Sequence, residues 1–131
     1  MLIDEELLNK VSGEAMKSPR LRMNFDLRNG KEDSSQRMLN ALEKGTILPI
    51  HRHQTTSETV MVVRGSICES YYDDNGNVTD SFVLKSDGPN YGLNVPKGIW
   101  HSFEVLEPHT VILSVKDGKY HPLDECDVLN K

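Results

Sequence analysis

Five histidines, at positions 51, 53, 101, 109 and 121, hold most of the chemistry this chain can offer. His51 and His53 stand at i, i+2. Alternate side chains of an extended strand share a face, so both rings point one way and Arg52 points the other. Five residues on, Glu58 begins the apolar run TVMVV, which ends at Gly65. A turn over 54–57 would fold that run back beside the first strand and bring its carboxylate near both rings. Two imidazoles and a carboxylate on neighbouring strands suit a divalent transition metal such as Zn, Fe, Mn or Ni. His101 follows a Pro96-x-Gly98 turn, heads a strand of its own and offers a fourth ligand. Taken singly, each piece is ordinary: an isolated His-x-His is usually a surface pair, and a Glu at a strand start is usually solvated. The combination on adjacent strands is what carries the metal reading.

Other polar residues have weaker claims. Gln36 and Arg37 alternate, so only one of them faces a barrel interior; if it is Arg37, its guanidinium could hold a carboxylate or phosphate. Arg22 and Asn24 share a face and raise the same question. Glu58 becomes a candidate acid/base if it leaves the metal. Tyr71, Tyr72 and Trp100 read as core or rim, His109 and His121 as surface, and Cys68 as a buried strand thiol. No nucleophile sits beside a base, and no glycine loop suits a phosphate.

The elements that must position these residues are short. Residues 3–17 read as a helix: Asp4 is its N-cap, Glu5 and Glu6 lie in the first turn, and Ile3, Leu7, Leu8, Val11 and Ala15 form one apolar face. Ser18-Pro19 ends it. From there the period changes to two, with Leu21, Met23 and Phe25 alternating against Arg22, Asn24 and Asp26. Strands are predicted over 36–42, 46–53, 58–64, 66–72, 78–84, 91–95, 100–105 and 110–116. Gly- and Pro-rich turns separate them, and Asn75-Gly76 is the strongest hairpin signal. Many short strands so punctuated indicate an antiparallel sandwich or barrel. We expect an N-terminal helix over 1–19 packed on a β-barrel domain over 20–123, with an acidic, partly frayed tail over 124–131.

The 131 residues carry 15 Lys+Arg against 20 Asp+Glu, a net charge of −5, with no basic block, so nucleic acid is not expected as a partner. No apolar run approaches the ~20 residues of a membrane span. The first segment, acidic and amphipathic, does not read as a secretory signal, and two unpaired cysteines suit a reducing compartment. A cytoplasmic protein is expected.

Gly45-(x5)-His51-x-His53-(x4)-Glu58-(x6)-Gly65 matches the first cupin motif at every fixed position. Pro96-x-Gly98-(x2)-His101 matches the centre of the second, with Asn90 in place of its leading Gly and Val105 in place of its trailing Asn. The chain thus resembles the cupin superfamily. It is further similar to the small WbuC-type cupin metalloproteins of O-antigen and surface-polysaccharide clusters. That likeness is carried by Arg22-x-Asn24-Phe25, Gln36-Arg37-x-Leu39-Asn40-Ala41, PIHRH at 49–53, VVRG at 62–65, Pro96-x-Gly98-x-Trp100-His101, Leu106-Glu107-Pro108 and Lys116-Asp117-Gly118-x-Tyr120. Ser114 stands where this group would have an acidic residue.

The resemblance implies an all-β fold, a double-stranded β-helix barrel of short antiparallel strands with an N-terminal helix. It implies one divalent metal held at the mouth by His51, His53, Glu58 and His101, and a homodimer. Four ligands on a six-coordinate ion leave positions for water or substrate, as catalysis needs. The expected activity is a metal-dependent isomerase or epimerase acting on a sugar or sugar nucleotide in surface-polysaccharide metabolism. Substrate contacts from Arg37 and Arg22 would serve it. The alternatives are a non-haem iron dioxygenase and a non-catalytic module binding a small molecule or metal.

Overall fold

The computed structural model describes residues 1–129. Its elements run α1 (Glu5–Lys17), β1 (Arg22–Asp26), β2 (Gln36–Leu42), β3 (Ile50–His51), β4 (Glu58–Arg64), β5 (Ser66–Tyr72), β6 (Val78–Lys85), β7 (Gly92–Val95), β8 (Trp100–Val105) and β9 (Thr110–Lys116), then a 3-10 turn (Glu125–Asp127) and β10 (Val128–Leu129). Two five-stranded antiparallel sheets result, in the orders β1-β2-β9-β4-β7 and β10-β3-β8-β5-β6. We call them sheet A and sheet B. No helix among the described residues is long and apolar enough to cross a membrane.

The apolar alternation explains how the layers stack. On β2, Leu39 and Ala41 face outward and meet Leu8, Val11 and Ala15 of α1, with Val111 of β9 beside them. The helix starts where its cap lies: Asp4 accepts the Leu7 N–H at 3.0 Å. Leu42, Val60, Val62, Ile67, Leu84, Val105 and Ile112 pack together in the space between the two sheets. The outer face of sheet A is thus covered by the helix over β2 and β9, whereas the outward residues of β4, Thr59, Met61 and Val63, are exposed.

Gly65 is the step from sheet A to sheet B, between β4 and β5. Its φ is +85°, and an added Cβ would overlap Thr110, so both conformation and space require glycine there. Cys68 and Cys126 are free thiols.

Two sequence expectations are corrected. The strand read over 46–53 narrows to Ile50–His51, because the chain on either side bonds elsewhere. Past the strand, the Arg52 N–H goes to Asp127 O at 3.0 Å, and the Gly98 N–H reaches His53 O at 2.9 Å. The tail, read as partly frayed over 124–131, is bound over residues 125–129. Val128 and Leu129 pair with His51 and Ile50, and the Asp127 carboxylate accepts from Arg52 Nε at 3.1 Å and from Gln54. Residues 130 and 131 of that tail lie outside the described residues.

Candidate metal centre

His51 on β3 and His101 on β8 are register partners, so their rings lie side by side, with centroids 4.3 Å apart. His53 lies just beyond the strand, yet its ring still joins them, 5.1 Å from His51 and 5.6 Å from His101. One ring nitrogen from each of the three falls within 4.8 Å of the others. The tautomers of two are fixed from behind. His51 Nδ1 donates to Pro49 O and His101 Nδ1 to Ile99 O, each at 2.9 Å, since a carbonyl can only accept. The Nε2 atoms of both rings are left to bind a cation, which is how metal-ligating histidines are oriented.

Glu58, the first residue of β4, faces the triad from sheet A. Its Oε1 lies 3.3 Å from His101 Nε2, and its Oε2 accepts a hydrogen bond from Ser114 Oγ of β9. Ser114 holds the carboxylate from behind, a positioning contact made by a neutral side chain. Glu58 lines the same cavity as the triad but is not part of its compact group of ring nitrogens.

Electrostatics divide the three histidines. Burial pushes His51 down to about 4, helped by the neighbouring His101, and burial with Lys116 does the same to His53. Both rings are neutral at physiological pH, the form that binds metal. Burial also works against the imidazolium of His101, but the Glu58 carboxylate beside it outweighs burial and raises it above the usual histidine range. Burial works against Glu58 ionisation too, yet His101, Lys116 and Ser114 together hold it down at about 2.

The centre sits in a cavity of about 360 Å³ between the sheets, at the low end of the size of small-molecule sites. Among the described residues, two buried side-chain oxygens have no hydrogen-bond partner, Asn40 Oδ1 and Glu69 Oε2, and His101 Nε2 has only the Glu58 carboxylate beside it. All three residues line this cavity. Buried polar atoms are nearly always satisfied, so two orphaned oxygens lining one space mark a place built for a polar guest. These residues also fit a metal: the donors are borderline-soft imidazoles, the outer nitrogens of His51 and His101 are anchored, and a carboxylate stands beside the inner nitrogen of His101.

Glu69 escaped the sequence reading. The residue lies on β5, 1% exposed, and burial lifts its carboxyl to about 8, which favours the neutral acid near pH 7. The one available signal was parity: Glu69 shares the inward face of β5 with the core residue Ile67, a place where a solvated charge does not belong. Arg37, expected as a substrate contact, is not brought to the cavity. Its guanidinium donates to Leu27 O and Asp33, both at 3.1 Å, and Gln36 takes the inward position instead. Arg22 does line the cavity, with Asn24. His121, read as surface, stands at the mouth of the cavity, whereas His109 bonds Glu43 at 2.9 Å in a turn away from it. Trp100 is buried, with Nε1 donating to Asp74 and the Arg52 guanidinium 4.4 Å from its ring centroid.

Comparison with solved structures agrees with this architecture. KdgF from Halomonas sp. superposes with a TM-score of 0.63 at 14% identity, over 79% of this chain and 84% of that one. The cupin domain of Schizosaccharomyces pombe Cnp3 gives 0.58 at 17%, over 76% of this chain and 65% of that one. CapF from Staphylococcus aureus, a capsular polysaccharide assembling protein, gives 0.62 at 18%, over 82% of this chain and 32% of that one. At such identities the likeness shows the fold, which is the cupin fold. The chain spans about a third of the length of CapF. No protein of curated function matches it in sequence. A family model matches residues 3–84, and the chain belongs to the family described as "Domain of unknown function (DUF6016)".

Proposed function

We propose that this chain is a metal-dependent cupin enzyme that isomerises or epimerises a sugar-derived small molecule in surface-polysaccharide metabolism, as its resemblance to the WbuC-type cupins suggests. The observation that carries the reading is the cavity itself, where the histidine triad and a free buried acid, Glu69, face the same space. A divalent transition metal held by His51, His53, His101 and Glu58 would polarise a carbonyl or hydroxyl oxygen of the guest.

The chain's own residues supply the rest. Pro49 and Ile99 carbonyls hold two rings at fixed tautomers, and Ser114 holds Glu58. Isomerisation and epimerisation move a proton at a carbon beside a carbonyl, and this needs an acid/base not committed to a metal. Glu69 is that group more readily than Glu58, because Glu58 is paired to His101 whereas Glu69 Oε2 has no partner. A carboxyl lifted to about 8 is also well matched to proton transfer near neutral pH. The name of CapF, a capsular polysaccharide assembling protein, adds support for the sugar class.

The test is proton NMR in D₂O with metal-loaded protein and a panel of aldoses, ketoses, their phosphates and uronic acids. Loss of the signal at the carbon beside the carbonyl of one substrate is expected, and it should vanish in His51→Ala and in Glu69→Gln. A fully metal-loaded protein that exchanges no proton in any of them would sink the isomerase reading.

A further inference from the structure

The charges that line the cavity have neighbours of opposite sign at one end of sheet A and none at the other. In the row where β2, β9 and β4 meet, Lys116 stands between Gln36 and Glu58, so that cation has a carboxylate beside it across the strands. At the far end of β2, Arg22 of β1 lies opposite Leu42, which is buried and apolar. From Gln36 to Leu42 the strand covers about 20 Å, at ~3.3 Å per residue. Arg22 is half-buried, lines the cavity and makes no ion pair among the described residues. Asp26, on the same face of β1, is taken by Arg28 at 2.8 Å. The second lining carboxyl, Glu69, is on sheet B between Phe82 and Phe103. Beside Arg22 stand two amides: Asn24 follows at i+2 on the same face of β1, and its register partner on β2 is Asn40. Both line the cavity, and Asn40 Oδ1 is buried without a hydrogen-bond partner. A guanidinium without an anion and a buried amide oxygen without a donor, on neighbouring strands of one wall, make an unfilled polar subsite.

Resting on the reading of this cavity as a small-molecule site, we infer that its guest is an elongated hydroxylated anion, held with its charged group on Arg22 and Asn24, a hydroxyl on Asn40, and its uncharged end toward the histidine triad. The single guanidinium fork matches carboxylate and phosphate alike. Asn40 Oδ1 can only accept, so it calls for a hydroxyl next to the charged group. Because Arg22 lines the same cavity as the triad, its long side chain bridges part of the distance between the two ends. One sugar unit with a charged substituent on the carbon remote from the metal spans the rest, and the volume of about 360 Å³ suits it. A neutral sugar would leave Arg22 half-desolvated and unpaired, which is costly.

Calorimetry with glucose, glucuronate and glucose 6-phosphate tests this, on the full chain with and without bound Co(II). The three probes share a ring and differ only at carbon 6, the end remote from the anomeric carbon. One of the acids should bind at least about tenfold tighter than glucose, the size of one charge-assisted hydrogen bond. Whichever acid binds tighter assigns the group as carboxylate or phosphate. Arg22→Met should reduce the preference to less than about threefold, while cobalt stoichiometry and the melting transition stay as in the native protein. Lys116→Met, at the other end of the wall, should keep it. Equal binding of all three probes, no binding of any, a preference that survives Arg22→Met, or one that Lys116→Met removes as well would overturn the inference. A preference that depends on cobalt and not on Arg22 would put the anion on the metal and overturn it too. Proton exchange into the substrate reads the isomerase proposal separately. A chain that exchanges no proton yet keeps an Arg22-dependent preference overturns that proposal and leaves this one standing.

Discussion

His101 and Glu58 form a pair across the barrel, Nε2 to Oε1 at 3.3 Å, joining β8 of sheet B to β4 of sheet A. His101 is 2% exposed, its Nδ1 is spent on Ile99 O, and Glu58 holds its pKa up against the effect of burial. A cation binding among these rings therefore competes with a proton on one histidine, while His51 and His53, at about 4, are already free of theirs.

Metal uptake at pH 6 should release roughly one proton per chain, not the larger number that three ordinary histidines would give. Apparent affinity should rise about tenfold per pH unit through the range of His101 and then level off. Calorimetry in buffers of different ionisation enthalpy reads the proton count directly. Glu58→Gln should remove the release by returning His101 to the neutral form. A count near zero in the native protein would mean that the pair is not the proton store. The stability of the metal-free protein follows the same groups. The raised His101 contributes below about pH 6.5 and loses its contribution as pH rises through its folded value; the depressed Glu58 contributes above about 4.5 and fails as pH falls through 2.

Alanine at His51, His53 or His101 should lower metal affinity severely, and the double variant His51→Ala/His53→Ala should abolish stoichiometric binding. The fold should persist, because the core of Leu42, Val60, Ile67, Leu84 and Ile112 is apolar and does not use the ion. Elemental analysis with circular dichroism separates the two outcomes. Full metal retention in the double variant would place the site elsewhere.

Glu69 should write a pH dependence into the metal-free protein. Its carboxyl stays protonated to about 8 in the fold, whereas the unfolded chain ionises near 4.5. A raised folded value means full stability below about 4.5 and a decline on the way up to 8, at a slope of at most about 1.4 kcal/mol per unit. Chemical denaturation of native protein and Glu69→Gln between pH 5 and 8 should show the native curve falling relative to the variant. Parallel curves would mean that Glu69 is ionised in the fold.

His51, His53, Glu58 and His101 were legible because a strand has period two and turns set its partners, so spacing alone brings those four residues together. The inward face of sheet A was harder to read. On β2 one side meets α1 and the other faces the barrel interior, with Leu39 and Ala41 on the first and Gln36, Met38, Asn40 and Leu42 on the second. Alternation separates the two sets without saying which covers the cavity, so Arg37 and Gln36 could not be told apart. Glu69 was missed because a lone Glu in ICESYY looks like an ordinary strand-surface charge. Its cross-strand partners, Phe82 of β6 and Phe103 of β8, are set by pairings that the local sequence does not display. The pairing of β10 was invisible for a simpler reason: two residues are too few to show a period.

That short strand bears on the metal centre through Asp127. Its carboxylate accepts from Arg52 Nε at 3.1 Å and from Gln54, the two residues that flank His53, and its backbone carbonyl accepts the Arg52 N–H at 3.0 Å. His53 is beyond the end of β3, so no strand pairing of its own fixes where its ring points. The side chain of Asp127 does that work on both sides of it, and the Gln54 amide with Arg52 keeps the carboxyl ionised below the usual carboxylate range. Asp127→Ala should loosen the loop and lower metal affinity by roughly tenfold or more, as losses of supporting contacts behind metal ligands do. The melting transition should move little, since the apolar cores are untouched. Asp127→Asn, which keeps one acceptor oxygen, should recover part of the loss. Competition with a metal-indicator dye reads the affinity; values within twofold of native for the alanine variant would show that His53 is positioned without the C-terminal segment.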